Sequence, residues 1–146
     1  MDKLDFAILE LLKKNSRLST RQISETIPLS APAVMERMRK LEKKGVIKNY
    51  TINIDRKRTG NTLLAFVLVK IDRTGNTSNF KNTLTKYSSV LECHKITGAY
   101  DYLLKIVASD LTQLEHFLSK KVRQVRGVGE TQTMLTLENL KEEASV

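Results

Sequence analysis

Cysteine occurs once in the 146 residues, as Cys93, so the chain can build neither an internal disulfide nor a cysteine-based zinc site. Long hydrophobic runs are also missing. The longest, residues 63–69, has seven members, against the roughly 20 needed to span a bilayer. The start, Met1-Asp2-Lys3-Leu4-Asp5, places acids where a signal peptide carries cations, and an amphipathic stretch follows instead of an apolar one. A cytoplasmic protein without membrane association is expected. Catalytic groupings are equally scarce. Cys93 and His94 are adjacent strand residues facing opposite ways, which argues against joint metal or nucleophilic work. His116 has no patterned partner, and Gly127 and Gly129 lack the spacing of a phosphate loop. These absences point to no catalytic residue, no metal and no cofactor.

What remains is a globular composition, 40% apolar and 28% charged. Twenty-five Lys and Arg face 16 Asp and Glu, a net charge of +9. Residues 1–60 hold 14 basic and 7 acidic side chains, and residues 61–146 hold 11 and 9. A basic front half joined to a nearly neutral back half reads as a polyanion-binding module attached to a second domain.

In the front half, Leu4, Ile8, Leu11 and Leu12 make the stripe of an amphipathic helix, with Asp2 and Asp5 at its positive end and Lys13 and Lys14 at its negative end. Ser19 and Gln22 have capping-box spacing and open a second helix, with Ile23 and Ile27 inward and Pro28 as its stop. Ser30 is a good N-cap for a third helix; Pro32 is tolerated in its first turn, and Gly45 ends it in a left-handed conformation. Residues 46–54 follow, where Tyr50, Ile52 and Ile54 alternate as in a strand or hairpin. Three helices with a tight turn and a wing make a winged helix-turn-helix, whose third helix enters the major groove of duplex DNA.

With Val34, Met38 and Leu41 turned inward, Ala31, Met35, Glu36, Arg39, Lys40 and Lys43 lie outward. The expected DNA-binding set adds Ser19, Thr20, Ser30, Pro32, Arg37 and Lys48. The competing reading is a merely solvated basic face; the coincidence of charge, capped second helix, short turn and wing favours DNA. Arg37 keeps two readings, phosphate contact or a bracing salt bridge. The first turn, Ser30-Ala31-Pro32-Ala33, carries few side-chain donors, so base readout falls mainly to Arg39, with thymine methyls and DNA shape contributing the rest.

After a polar linker at 55–61, the back half reads as strand 63–71, helix 77–87, strand 90–97, strand 101–107, helix 111–125 and strand 128–137. The order βαββαβ is the ferredoxin-like plan. The fold class is therefore α+β, with a winged helix-turn-helix over 1–54 and a ferredoxin-like domain over 62–146. The first and third strands are apolar on both faces, yet two helices cover only one. The open face would be an apolar patch that soluble monomers rarely show, so an obligate homodimer through this half is expected.

These stretches resemble the Lrp/AsnC (feast/famine) family from about Asp2 to Leu140. The resemblance rests on Asp2-x-x-Asp5-x-x-Ile8-Leu9, Asn15-x-Arg17-Leu18-Ser19 and Leu29-Ser30-x-x-x-Val34-x-x-Arg37-Met38-x-x-Leu41-Glu42-x-x-Gly45-Val46-Ile47. Asp55 with Gly60, Glu92-Cys93-His94 and Gly98-x-x-Asp101-Tyr102-Leu103-Leu104-Lys105 extend it. It implies a transcription regulator whose second domain senses an amino acid or related small molecule, and whose dimers join into octamers that bend or wrap DNA on the nucleoid. It also implies an effector site between neighbouring dimers at Gly98, Tyr100 and Asp101, with Met134, Leu135 and Thr136 nearby. Asp101 would pair with an α-ammonium group. Family members often carry an acid where this chain has Ala99. Asp101 has a plainer reading as the start of a strand after a turn.

Two other functions compete. Some haem-pathway decarboxylases look like this architecture, but here the positive charge lies on the helix-turn-helix. An architectural DNA-bending protein that ignores every ligand is the closer alternative, because the third helix is poor in base-reading side chains.

Overall fold

The computed structural model describes residues 1–72 and 77–142. They form two compact units, 1–53 and 54–142.

In the first unit, helix α1 (Lys3–Lys14) starts from a complete capping box: the Asp2 side chain accepts from the Asp5 N–H, and the Asp5 side chain accepts from the Asp2 N–H. Helix α2 (Thr20–Ser24) is capped in the same reciprocal way by Ser19 and Gln22. Helix α3 (Ala31–Lys43) begins at Ser30, carries Pro32 in its first turn and is followed by Gly45 at φ +68°. Ile8, Leu12, Ile23 and Val34 are buried together, with Leu11, Leu18, Ile27, Leu29, Met38 and Ile47 packed around them. Each helix contributes a 3.6-period stripe, and helices this short hold only because those stripes meet.

Two expectations here need correction. Helix α2 ends at Ser24, one turn before Pro28, so the proline does not stop it. No strand forms over 46–54. The alternating Tyr50, Ile52 and Ile54 are all exposed, and an edge without a partner has no ladder to join. Tyr50 instead bonds back to α3, donating to Glu42 Oε1 at 2.8 Å. Burial first, and then the Glu42 carboxylate, pushes its phenol up to about 12.

The second unit contains β1 (Leu63–Ile71), α4 (Thr77–Leu84), β2 (Val90–Lys95), β3 (Tyr102–Ala108), α5 (Leu111–Phe117), a π-helical turn (Leu118–Val122) and β4 (Val128–Leu135). The sheet order is β2-β3-β1-β4 with every neighbour antiparallel, as the βαββαβ reading requires. Residues 55–61 form successive turns, with Asp55 Oδ1 accepting from the Lys57 and Arg58 N–H groups. Helix α4 is shorter than expected, and α5 stops its α-helical course at Phe117.

One sheet face is the core. Ala65, Val67 and Val69 of β1 and Tyr102, Leu104 and Ile106 of β3 pack against Phe80, Leu84, Leu114, Leu118, Val122 and Val125. The Phe80 and Tyr102 rings lie 4.6 Å apart. On the other face Leu64, Phe66, Leu68 and Leu103 are half-buried. That face is not wholly apolar. Lys105 lies opposite Phe66, with Nζ 3.1 Å from Glu92 and 2.6 Å from Glu142. Arg56 meets Glu142 at 2.9 Å.

Candidate functional site

The first candidate surface is built by α3. Val34 and Leu41 are buried, which fixes the helix's rotation and leaves Pro32, Met35, Glu36, Arg39, Lys40 and Lys43 exposed. Positions 32, 35, 36, 39, 40 and 43 follow the i, i+3, i+4, i+7 pattern of one face. Met35 is 58% exposed, an apolar side chain presented in the middle of a cationic face. Glu36 pairs with Lys40 at 3.6 Å, one turn along, so the net charge of this face comes chiefly from Arg39 and Lys43.

The serines at the helix starts have structural work as well. Ser19 Oγ accepts from the Gln22 N–H at 3.2 Å, and Ser30 Oγ accepts from the Ala33 N–H at 3.4 Å. Ala31 and Thr20 are half-buried beside them, and Lys48 is exposed beyond α3. Both residues named for base or phosphate contact at helix starts thus also hold the backbone that presents the face.

Arg37 forms a bracing ion pair. Its Nη1 lies 2.8 Å from Asp2 Oδ2 and 2.7 Å from Asp5 Oδ1, tying α3 to the start of α1. The backbone N–H of Asp5, followed by the Arg37 guanidinium, holds the Asp2 carboxyl below its usual range. The Asp2 N–H and then Arg37 do the same for Asp5. In the sequence Asp2 and Asp5 read only as dipole partners of α1; that they also receive Arg37 needed the crossing of two helices.

The second candidate lies at the β2–β3 turn. Gly98 adopts φ +113°, a conformation that side-chain-bearing residues rarely take. Asp101 is held on both sides: its N–H donates to Val69 O at 3.0 Å, and its Oδ2 accepts from the Ile71 N–H at 2.7 Å. Asp101 thus ties the turn to the end of β1, and β3 begins one residue later, at Tyr102. The Tyr100 hydroxyl lies 3.0 Å from Glu130 Oε1 and 3.1 Å from Gln132 Oε1. The Glu130 carboxylate raises the Tyr100 phenol above its ordinary range.

Tyr100 thus meets β4 at Glu130 and Gln132, two residues that sequence reasoning passed over. Their i, i+2 spacing on a strand was the available signal. Met134, opposite Phe66, shares the sheet face of Gln132, opposite Leu68. Leu135, opposite Ala65, faces the other way. Thr136 lies past the strand, its N–H donating to Leu64 O at 2.9 Å. Of the six residues named for the effector, Gly98, Tyr100 and Asp101 share one turn, and Leu135 points to the face of β4 opposite that of Gln132, which Tyr100 meets.

Cys93 packs toward the core while His94 turns outward to Glu92 at 2.8 Å, so the pair does face opposite ways. Among the described residues no helix is long and apolar enough to cross a membrane.

Comparison with known proteins covers both units. The profile described as winged helix-turn-helix DNA-binding matches residues 1–48, and that of the Lrp/AsnC ligand binding domain matches 64–146. The HTH-type transcriptional regulator FL11 of Pyrococcus horikoshii is 35% identical over 142 residues, 97% of this chain and 93% of the relative. The HTH-type transcriptional regulator LrpC of Bacillus subtilis is 38% identical over 120 residues, 82% of this chain and 83% of the relative. Among solved structures, a transcriptional regulator from Neisseria meningitidis in complex with L-Met superposes at a TM-score of 0.96 with 29% identity, covering 100% of this chain and 96% of its own.

Proposed function

The chain belongs to the Lrp/AsnC family and is a DNA-binding transcriptional regulator of that type; on that premise we propose that it reads duplex DNA as a homodimer through α3. The observation that carries this reading is the exposed face of α3, where Met35, Arg39, Lys40 and Lys43 stand clear of a helix anchored by Val34 and Leu41. Ala31, Pro32 and Glu36 belong to the same contact surface. Ser19, Thr20 and Ser30 contribute at the helix starts, and Lys48 contributes beyond the helix. Arg37 acts through the brace.

The half-buried apolar residues left on the open sheet face support dimerisation there, with dimers joining into an octamer on the nucleoid. An amino acid or related small molecule is the effector, bound between dimers at Gly98, Tyr100 and Asp101. The L-Met complex of the Neisseria relative supports the class of ligand. Met134 approaches from the same sheet face, and Leu135 and Thr136 serve from an adjoining copy.

Fluorescence anisotropy on a duplex site at 50 and 200 mM salt, with and without a panel of amino acids, tests the proposal. Contact with some 6–10 phosphates predicts a loss of roughly 10³–10⁵ in affinity over that range. Binding that ignores salt would overturn it. A ligand-independent architectural role is a second reading, favoured by the first turn of α3, whose Ser30 hydroxyl is a cap and whose next residues are Ala31, Pro32 and Ala33. Footprints phased at the helical repeat that no amino acid alters would select it.

A further inference from the structure

The near-neutral charge of the back half conceals a segregation. Residues 77–89 and 118–127 together carry six basic and no acidic side chains, and the rest of 61–146 carries five basic and nine acidic. These two segments are α4 with its following turn and the π-helical turn with its exit into β4. They enclose a shallow cleft of about 310 Å³, lined among others by Asn79, Thr83, Tyr87, Lys120, Lys121 and Arg126.

The π-turn explains how the lysines reach that rim. Leu114, Leu118 and Val122 recur every four residues, slightly too far apart for an α-helix to keep on one line. Beyond Phe117 the helix widens, and the Arg123 N–H bonds to Leu118 O, five residues back, at 2.9 Å. Leu118 and Val122 then both stay buried, while Lys120 and Lys121 are exposed. Such π insertions are often found at functional sites.

Among the described residues the cations at the rim have no carboxylate partner. Lys121 lies over the Tyr87 ring, 5.8 Å from its centroid. Arg123, which is not part of the cleft lining, pairs with Glu115 at 3.3 Å. Among the described residues neither Lys120 nor Arg126 has a carboxylate partner. Three cations around a cleft that is also lined by the Asn79 and Gln124 amides and the Thr83 and Tyr87 hydroxyls present the donors a phosphodiester backbone takes.

We infer that this cleft is a second contact surface for the DNA backbone, separate from the face of α3 and indifferent to base sequence. The inference rests on the DNA-binding reading above for the identity of the polyanion. It gives the second unit a direct hold on DNA, so that a fragment extending beyond the recognised site has further phosphates to offer it.

The test compares the full-length chain with a K120E/K121E/R126E variant and a milder K120Q/K121Q/R126Q variant, on a short site and on a long fragment containing it. For the glutamine variant on the long fragment, the slope of log affinity against log salt falls by about 2.7, roughly 0.9 for each lost phosphate. Between 50 and 200 mM salt that is about a 40-fold smaller change in affinity. The glutamate variant loses at least as much. Short-site affinity stays within about twofold for both. An R39E/K40E/K43E variant losing short-site binding confirms separately that α3 is the primary reader; if it binds normally, the earlier reading fails and this one with it. Equal losses on short and long DNA, or no loss on either, overturn the second surface. So does a changed oligomer size with unchanged DNA slopes, which assigns the cleft to contact between copies. Inorganic pyrophosphate that binds the cleft without displacing long DNA overturns it as well.

Discussion

Arg37 and Asp5, 32 residues apart in sequence, meet at 2.7 Å, so a guanidinium of α3 ties that helix to α1. The Asp5 side chain is 16% exposed, which shields the pair from solvent more than an ordinary surface ion pair. The same helix therefore divides its arginines between two duties, Arg37 inward and Arg39 outward.

That division predicts crossed phenotypes. Arg37→Ala lowers the melting temperature more than Arg39→Ala does. Arg39→Ala lowers DNA affinity roughly tenfold or more if it reads a guanine, and more than Arg37→Ala does once both proteins are measured well below their melting points. Calorimetry and anisotropy on the two variants check both halves. Equal stability of the two variants would remove the brace.

Acid should loosen both units through carboxylates held in the charged form. The folded-state values of Asp2 and Asp5 lie below their ordinary one, and that of Glu142 falls from 4.5 to about 2, chiefly through the Lys105 hydrogen bond and then Arg56. A depressed folded value means stability that is complete above the ordinary carboxylate range and lost as pH falls through the folded value. For Glu142 the window runs from about 4.5 down to about 2. Urea melts across that window should show a steady loss of stability. Glu142→Gln should flatten the trend without changing stability's pH dependence above pH 5.

Phe80 is fully buried between the helices and the sheet, stacked on Tyr102. Phe80→Ala should cost about 3–5 kcal/mol, the sum of lost transfer energy and the cavity left behind. Denaturant unfolding measures it directly. A loss under about 1 kcal/mol would mean the core collapses into the gap.

At Gly98 an added Cβ would meet nothing within 4 Å, so the cost of Gly98→Ala comes from φ +113° alone. Roughly 1–3 kcal/mol is expected for forcing a side-chain-bearing residue there. The turn that presents Tyr100 and Asp101 should shift with it, weakening any amino-acid response before it weakens DNA binding. Isothermal titration with the responding amino acid, alongside anisotropy, separates the two effects.

Much of this molecule was legible before any coordinates. The capping box of α2, the glycine that ends α3, the extent of β1 and the βαββαβ order all follow from neighbours within a few residues, because caps, turns and apolar periods are local. The outer face of α3 was legible for the same reason: naming Val34 and Leu41 as buried determines which residues face out. The failures share the opposite cause. Tyr50, Ile52 and Ile54 alternate like a strand, but alternation supplies no neighbouring strand, and among the described residues none pairs with them. The four-residue spacing of Leu114, Leu118 and Val122 reads in the sequence as one long α-helix; the π-turn appears only when those residues must all meet the same sheet.

From the sequence alone came two modules, their order along the chain, and the division between a cationic reader and a nearly neutral companion. Those properties depend on composition and on periods of two to four residues. Tertiary structure decided which charges are available. It consumed Arg37 in the crossing of α1 and α3, and Lys105 in an ion group with Glu92 and Glu142. It set Tyr100 against Glu130 and Gln132 and left Lys120 and Arg126 at the edge of a cleft. A side chain's charge is written in the chain, but its partner is chosen by whatever packing brings within three or four ångströms, and that distance has no counterpart along the sequence.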